Sequence, residues 1–324
     1  MALGVARSLL EWDSVAGRDR RAVVSVGNFD GLHIGHQRIL GAVVERARRE
    51  KLLAAAITFD PHPLKVLRPQ GAPALIMTLD QRLEGFGRLG LDAALVLRFD
   101  EALAALPAEE FVVRVIANAV RASCVLVGVN FRYGHRQTGD VAQLQELGKT
   151  HGFCVEVAAA AEVNGVPVSS TAIRRAVAEG KVEEAAPLLG RPFSLTGKIV
   201  QGEGRGRELL LPTLNLKAEQ ELLPLKGVYA TETMSDGNKL PSVTNIGTRP
   251  TFDGNALSIE TFVMDSHFSE PPEHIELRFY RRLRDEKKFP SPEALRVQIE
   301  ADVQQARELF RSSRAPDPRV TPNR

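Results

Sequence analysis

The chain has two successive patterns of hydrophobic and polar positions, which change near residue 188. In the first, short apolar runs alternate with stretches whose apolar residues lie three or four positions apart, which is typical of parallel strands linked by helices. The predicted strands are Ala22–Val26, Leu53–Phe59, Ala93–Phe99, Cys124–Val129 and Phe153–Val157. The pattern predicts a doubly wound α/β domain whose ligand lies where strands end in loops.

Local signals place helices and turns between these strands. Thr78 and Gln81 have the spacing of a capping box, and Pro107 precedes two glutamates at a helix start. Asn164-Gly165 is typical of a hairpin turn. Ser169-Ser170-Thr171 follows it and is predicted to cap another helix.

The second pattern consists of short strands joined by turns, without helices between them. The predicted strands are Ser194–Val200, Val228–Thr233, Ser242–Ile246, Ser258–Met264 and Ile275–Phe279, with turns at 235–238 and 252–255. Such a series predicts a small β-barrel. A closing helix is expected from the cap Ser291, from Pro292, and from the apolar stripe Leu295, Ile299, Val303, Ala306 and Phe310.

These patterns predict an organisation of two domains and a tail. Residues 1–186 form the α/β domain, residues 187–313 the barrel and its helix, and residues 314–324 a disordered tail with three prolines. A length of 324 residues agrees with two domains, and 44% hydrophobic and 25% charged residues are typical of a globular protein.

Net charge and cysteine content limit the kinds of partner and the cellular compartment that the sequence favours. A net charge of +2 gives no electrostatic reason to expect nucleic acid or a membrane as partner, and no apolar run is long enough to span a bilayer. Cys124 and Cys154 are expected to be free core thiols in a reduced cytosol. We therefore expect a cytoplasmic protein that is a monomer or weak homo-oligomer.

The segment Gly27–His36 carries the clearest chemistry. It turns on glycines from an apolar strand into an amphipathic helix, and such a helix start offers N–H groups and a favourable dipole to an anion. His33 and His36 are three residues apart, so both rings can face one ligand. The segment predicts a phosphate-binding site.

Three further polar loops could join this segment: the first two end strands at the same edge of the sheet, and the third lies at a further helix start. They carry Asp60 and His62, then Asn130 and Arg132, and finally Ser170, Thr171 and Arg174. Each could be an ordinary capped turn, but four polar loops after strands favour one shared site. A metal site of His33, His36 and His62 is disfavoured because neither a cysteine nor a second acidic cluster completes it.

With these motifs, the chain resembles the bacterial bifunctional riboflavin kinase/FMN adenylyltransferases, or FAD synthetases, from about Ala22 to Phe310. The H-x-G-H signature of the nucleotidyltransferases is matched by His33, Gly35 and His36. The S-S-T-x-I-R signature is matched by residues 169–174. Both signatures in order, with the N-F-R-Y-G loop between them, are highly specific.

The resemblance implies that the first half transfers the adenylyl group of ATP to FMN. His33, His36 and Arg174 would be catalytic by stabilising charge on the phosphates, which must be held against their mutual repulsion. ATP would be bound by these residues and by Gly27, Phe29, Asp30, Gly31, Ser170 and Thr171. The flavin would be contacted by Asp60, His62, Asn130 and Arg132.

The second half resembles riboflavin kinase, which implies a β-barrel of six-stranded type with a C-terminal helix. Its glycine loop and P-T-A-N motif are matched by Gly202, Gly206 and Arg207 and by Pro212-Thr213-Leu214-Asn215. These glycines, Arg207, Thr213 and Asn215 would bind ATP. Thr213 and Asn215 point the same way from an extended chain, and their oxygens suit Mg²⁺.

Kinase chemistry also needs a base, because the nucleophile is the ribityl 5′-hydroxyl of riboflavin. Glu260 is at the family's base position, although a glutamate there could also be an ordinary barrel-surface residue. Asn245 and Arg249 are implied to contact the flavin. The chain departs from the family at Leu210-Leu211, at Leu214, at Phe262 and over Ser266–Pro272, which puts kinase rate and flavin affinity in question.

The expected function is therefore synthesis of FMN from riboflavin, and then of FAD from FMN, with ATP and Mg²⁺. A monofunctional adenylyltransferase with a degenerate second domain stays open because of these departures. A lipid-headgroup cytidylyltransferase would be expected to contain a basic amphipathic helix, and none is found in the sequence. A non-catalytic barrel that binds RNA or protein would want a platform of stacking aromatic residues, which is not evident.

Overall fold

A computed structural model describes residues 2–201, 213–251, 254–265, 268 and 270–314, without the side chains of 249–251, 254–256 and 312–314. The chain divides into two compact units, Met1–Ser170 and Thr171–Arg324. The domain boundary at 186/187 stays a prediction. The helices of residues 170–189 fall almost entirely within the second unit, where the one nearer the barrel packs on its strands.

The first unit is built on a parallel sheet of six described strands. Their bounds are β1 Gly4–Ala6, β2 Ala22–Val26, β3 Leu53–Asp60, β4 Ala93–Arg98, β5 Ala122–Gly128 and β6 Cys154–Ala158, in the spatial order β1-β4-β3-β2-β5-β6. The central strand β2 is buried throughout because helices cover both faces of the sheet. The doubly wound fold is confirmed.

Helices of the first unit connect the strands on the two faces. They are α1 Leu9–Ala16, α2 Ile34–Glu50, α3 Pro63–Leu67, α4 Leu79–Arg88, α5 Glu101–Ala104, α6 Ala108–Phe111 and α7 Val141–His151, with π-helical turns at Val112–Ala119. The capping box of Thr78 and Gln81 begins α4 as predicted. The predicted hairpin at Asn164-Gly165 joins β7 (Glu162–Val163) to β8 (Val166–Pro167).

The structure contradicts the prediction made for the two cysteines. They were expected to be free thiols, but the structure joins Cys124 and Cys154 in a disulfide. Neighbouring parallel strands β5 and β6 pair these residues directly, with Cα atoms 4.4 Å apart, which lies in the range that a disulfide requires. Free thiols are therefore wrong for this structure, and cysteine usage no longer supports a reducing compartment.

The second unit begins with helices α8 (Ser170–Ala178) and α9 (Val182–Leu189). Its six described strands close into an antiparallel barrel in the order β10-β13-β12-β11-β14-β9, which confirms the predicted barrel. Their bounds are β9 Phe193–Val200, β10 Thr213–Ala218, β11 Gly227–Ser235, β12 Asn238–Thr251, β13 Gly254–Val263 and β14 His274–Arg284. The turn at 235–238 joins β11 to β12, whereas residues 252–253 of the other predicted turn lie outside the described residues.

The closing helix, α10 (Pro292–Arg314), packs on the outside of the barrel. The Ser291 side chain caps it as predicted, and Val303, Ala306 and Phe310 of the predicted stripe are buried against the strands. Of the predicted tail 314–324, Arg314 is the last residue of α10, and residues 315–324 lie outside the described residues. Within the described residues, no helix is both long and apolar enough to cross a membrane.

A buried ion pair fixes α10 to the end of β14. Arg284 donates to both carboxylate oxygens of Asp302 at 2.8–3.0 Å, and the Asp302 side chain is 2% exposed. Gln298 adds a hydrogen bond of 2.9 Å to the same carboxylate. Two charges enclosed in this way depend on each other, because removal of either leaves the other without compensation.

We expect Asp302→Ala to lower the free energy of unfolding of the barrel by about 3 kcal/mol, because it leaves the Arg284 guanidinium uncompensated. Asp265→Ala is the matched control, since its ion pair with Arg307 of the same helix is exposed and should contribute less than about 1 kcal/mol. Denaturant unfolding followed by circular dichroism measures both. Fluorescence of Trp12, buried in the first unit, should change little in either variant. Equal effects of the two substitutions would contradict the expectation.

Candidate active sites

The glycine loop lies between the end of β2 at Val26 and the start of α2 at Ile34. The Gly27 N–H donates to the Ile57 carbonyl of β3 at 3.0 Å, which fixes the start of the loop. Gly31 has a φ of +88°, and a Cβ there would come within 2.9 Å of Ile76 Cδ1. Glycine is therefore required at 31 by both conformation and space.

The two histidines of the loop stack on each other. Their ring centroids are 3.5 Å apart with an interplanar angle of 16°. His33 is the N-cap of α2, and its Nδ1 accepts the His36 backbone N–H at 3.2 Å. Because Nδ1 is the acceptor, the neutral ring carries its proton on Nε2, where it can donate to a ligand.

The electrostatics of the pair favour a neutral ring at His36. Burial lowers the pKa of His36 well below its ordinary value, and the neighbouring His33 and Arg82 lower that pKa further. His36 is therefore neutral at pH 7, and its Nδ1 is buried without a hydrogen-bond partner among the described residues. The pair is better suited to donate hydrogen bonds to phosphate oxygens than to form a fixed pair of cations.

Two predicted ATP-binding residues of the loop have buried side chains. Phe29 is 3% exposed, and its ring packs edge-on against His36 and Phe86. The Asp30 carboxylate accepts the backbone N–H groups of Ile76 and Met77 at 3.1–3.3 Å. These side chains shape the loop, so a contact of either residue with ATP, which stays a prediction, would come from backbone groups.

The other predicted loops of the first unit follow the strands that flank β2. Asp60 ends β3 and is exposed, whereas His62 is buried and its Nδ1 accepts the Leu64 N–H at 3.2 Å. Asn130 and Arg132 follow β5 and are exposed, with Arg132 paired to Asp140 at 3.2 Å. Since β3, β2 and β5 are neighbours, their carboxyl-terminal loops lie side by side, as predicted from their positions after strands.

The first unit ends at Ser170, within the S-S-T segment. The Ser170 hydroxyl donates to the Asp30 carbonyl at 2.9 Å, which ties the last residue of that unit to the glycine loop. Thr171 and Arg174 lie three residues apart in the first turns of α8, where Thr171 is exposed and Arg174 is half-buried. A helix start with a hydroxyl and a guanidinium on one side is suited to bind a phosphate.

The barrel brings the predicted kinase residues into one row. Asn215 on β10 pairs with Glu260 on β13, and Glu260 pairs with Asn245 on β12. Directly paired residues of antiparallel strands project from the same face with Cβ atoms about 5 Å apart. Thr213, two residues before Asn215, shares this face, whereas Leu214 is buried on the other.

Buried hydroxyls identify the opposite face as the barrel interior. Thr231, Thr244 and Thr261 are fully buried and joined by hydrogen bonds of 2.7–2.8 Å. Because side chains alternate along a strand, Glu260, Asn245 and Asn215 lie on the outer face. Glu260 is half-buried there, so it can meet a substrate.

Several predicted kinase residues cannot be placed. Gly202, Gly206 and Arg207 lie outside the described residues, as does the side chain of Arg249. Residues 266, 267 and 269 of the departing segment also lie outside them. Phe262, another departure, is half-buried against the cluster under α10 and pairs with Thr213.

The structure adds two residues that the sequence patterns did not identify. Arg82 of α4 is a fully buried cation beside the glycine loop. The Glu286 carboxylate lies over Gly247, where a Cβ would overlap Glu286 Oε1 and come within 3.1 Å of Asn245 Nδ2. The loop after β14 carries several charged side chains, and nothing in its sequence indicates which of them lies over Gly247.

The donors available for a metal are of the hard oxygen type. Thr213 and Asn215 supply a hydroxyl and an amide oxygen on one face next to the Glu260 carboxylate, which fits Mg²⁺ held jointly with nucleotide phosphates. Within the described residues, no group of three or more His, Cys, Asp or Glu side chains is placed to hold a metal ion.

Comparison with known proteins covers both units. The family model for FAD synthetase matches residues 16–172, and the model for riboflavin kinase matches residues 189–310. A bifunctional riboflavin kinase/FMN adenylyltransferase of Escherichia coli (strain K12) is 36% identical over 289 residues, which are 89% of this chain and 92% of the relative. This chain belongs to that family.

Two further comparisons also extend over most of the chain. The bifunctional riboflavin kinase/FMN adenylyltransferase of Pseudomonas fluorescens is 37% identical over 90% of this chain and 93% of its own. A crystal structure described as a macrolide-efflux protein from Streptococcus pneumoniae superposes with a TM-score of 0.85 at 28% identity, covering 95% of this chain and 99% of that one. The chain therefore contains both an FAD synthetase module and a riboflavin kinase module.

Proposed function

We propose that this enzyme phosphorylates riboflavin to FMN in its barrel module and transfers an adenylyl group to FMN in its α/β module. The observation that carries the kinase assignment is the row of Asn215, Glu260 and Asn245 on one outer face of the barrel. The observation that carries the transferase assignment is the stacked histidine pair at the start of α2.

In the kinase step, the riboflavin 5′-hydroxyl gives its proton to the Glu260 carboxylate, and its oxygen attacks the γ-phosphorus of ATP. The bond from that phosphorus to the bridging oxygen breaks, and ADP leaves. Asn245 orients the flavin, and the predicted glycine loop with Gly202, Gly206 and Arg207 holds the nucleotide. Thr213 and Asn215 would hold Mg²⁺, which neutralises charge on the phosphates when it is bound.

In the transferase step, a phosphate oxygen of FMN attacks the α-phosphorus of a second ATP, and pyrophosphate leaves. The nucleophile is already an anion, so the site needs positioning and charge stabilisation rather than a strong base. The Nε2–H of His33 and the ring of His36 donate to phosphate oxygens as charge develops. Thr171 and Arg174 bind the outer phosphates, and Asp60, His62, Asn130 and Arg132 surround the flavin.

The proposal also includes the expected location, oligomeric state and partners of the enzyme. The enzyme works in the cytoplasm on small molecules, as a monomer or weak homo-oligomer, and uses neither nucleic acid nor a membrane as partner. Support comes from a net charge of +2, which offers no broad electrostatic attraction to a polyanionic surface.

A product assay tests the assignment directly. The full-length protein is incubated with riboflavin, ATP and MgCl₂, and the flavins are separated by chromatography. We expect FMN to form first and FAD to follow, with both lost when a chelator removes the metal. FAD formed from added FMN without any FMN formed from riboflavin would favour the monofunctional alternative instead.

Gly35→Ala is expected to reduce FAD formation about tenfold or more. A Cβ at Gly35 would come within 3.2 Å of His33 Cε1 and Nδ1, so the ring must move, and small displacements of reacting groups can cost about 10²-fold in rate. Alanine favours the helix, so the fold should persist. Gly41→Ala, in the same helix with open space around it, is the matched control for steady-state assays. Equal rates in the two variants would show that ring position is unimportant.

A further inference from the structure

Arg82 on α4 is a buried cation that the proposed chemistry does not use. The side chain is 2% exposed, and its Nη1 donates to the Thr58 hydroxyl at 2.8 Å and to the Phe59 carbonyl at 3.1 Å. Its Nε is buried without a hydrogen-bond partner among the described residues. Burial of a guanidinium whose hydrogen bonds are to neutral groups costs free energy, which indicates that the charge has a role at this position.

The Thr58 hydroxyl transmits this contact to the glycine loop. It accepts from Arg82 and donates its proton to the Asn28 carbonyl at 3.3 Å. The Asn28 carbonyl can only accept, so the single hydroxyl proton of Thr58 is directed at Asn28, and the Arg82 N–H is accepted by a lone pair of the same oxygen. Three elements are thereby joined in series: α4, the end of β3 and the loop that precedes the histidine pair.

Packing reinforces the connection between α4 and the loop. A Cβ at Gly85, one helical turn after Arg82, would overlap Leu32 Cδ1, so the loop side chain lies directly against the helix. Phe86 of α4 contacts Phe29, which in turn contacts His36. The backbone and the rings of the loop therefore rest on the helix that carries Arg82.

The charge of Arg82 also acts electrostatically on the histidine pair. Arg82 and His33 both lower the pKa of His36, and the carboxylates of Asp30 and Asp60 are the charges that act on Arg82 itself. The buried cation offsets the negative charge of Asp30 and Asp60 beside the loop, and such an interaction is screened much less than one at the surface. An anion bound at the loop would gain from this without touching the guanidinium.

We propose that Arg82 is a positioning residue of the adenylyl-transfer site, which holds the glycine loop through Thr58 and supplies a buried positive charge behind the bound triphosphate. This inference rests on the proposed FMN adenylyltransferase activity. Its consequence is that α4, which carries none of the residues expected from the two signatures, contributes to transfer of the adenylyl group.

The test compares Arg82→Met, Arg82→Lys and Thr58→Val in the full-length enzyme. We expect Arg82→Met to lower kcat/KM for ATP in FAD formation at least tenfold and to leave FMN formation from riboflavin unchanged. Arg82→Lys keeps the charge and one donor, so it should recover most of the activity. Thr58→Val removes the relay hydroxyl and should cause a smaller loss in the same direction. Arg88→Met, an exposed arginine of the same helix, is the matched control.

A second measurement separates positioning from general stability. The His36 ring is titrated by NMR in each variant, and its pKa should rise in Arg82→Met but not in Arg82→Lys or Arg88→Met. Unchanged FAD formation in Arg82→Met would overturn the proposal. Parallel loss of both activities, or a His36 pKa that stays the same despite lost activity, would also overturn it, because it would indicate a structural role. Absence of FAD from the unaltered enzyme would instead refute the proposed function itself.

Discussion

His33→Ala is expected to abolish FAD formation from FMN and ATP while riboflavin phosphorylation continues. The substitution removes the Nε2–H donor and also the Nδ1 acceptor that caps α2. Removal of one donor that stabilises developing charge costs roughly 10²–10³-fold in kcat. The stacked partner His36 would also lose the ring that holds its position.

The two activities of one polypeptide provide the internal control for this substitution. FMN formation from riboflavin and FAD formation from supplied FMN are measured on the same preparation. His151→Ala, which removes an exposed histidine at the end of α7, should leave both rates unchanged. Comparable loss of both activities in His33→Ala would mean that the histidine serves the fold, and the transferase assignment would fail.

Much of this first site could be predicted because its residues are local in sequence. A glycine-hinged turn, histidines three residues apart and strands that precede each polar loop are patterns within about ten residues. The ring geometry confirms that His33 and His36 lie together. The direction of the Nε2–H donor could not be predicted, because it depends on which backbone N–H the Nδ1 atom accepts.

Features that depend on long-range pairing were not predicted. The strand Gly4–Ala6 has three residues, too few to show a period, and it forms by pairing with β4 almost ninety positions later. The disulfide follows from the register of β5 and β6, which tertiary packing determines. Arg82 resembles any charged residue of an amphipathic helix until α4 is placed against β3, where its guanidinium becomes enclosed.

The barrel site also combines features that are local in sequence with features that depend on long-range strand pairing. Thr213 and Asn215 could be expected on one face from their spacing, but the strand that contains them, Thr213–Ala218, was absent from the predicted strands. The row that joins Asn215, Glu260 and Asn245 requires the order β10-β13-β12, which skips between distant segments. Short strands without a distinctive period do not reveal that order.

Among the departures from the family, Phe262 can be given a physical account. It pairs with Thr213 and packs against the apolar cluster under α10, so an aromatic ring is compatible with its place. Glu260 and Asn215 are paired two register positions further along the same strands. Retention of this pair supports an active kinase module, and a substitution at Glu260 tests it.

Glu260→Gln is expected to remove FMN formation from riboflavin and to preserve FAD formation when FMN is supplied. Glutamine keeps the size of the side chain but cannot accept the proton of the ribityl 5′-hydroxyl. Loss of a positioned general base costs roughly 10²–10⁴-fold. Because Glu260 lies on the outer face of the barrel between Asn215 and Asn245, the substitution should leave the interior hydroxyl network intact.

The same substitution at an exposed position provides the control, and Glu273→Gln just before β14 should change neither rate. Binding of riboflavin by Glu260→Gln, measured by quenching of flavin fluorescence, should stay near that of the unaltered enzyme, because the base acts on the hydroxyl rather than on the ring system. Normal FMN formation in Glu260→Gln would show that this carboxylate is a barrel-surface residue, and the base would then have to be sought at Glu286, whose carboxylate lies over Gly247 of β12.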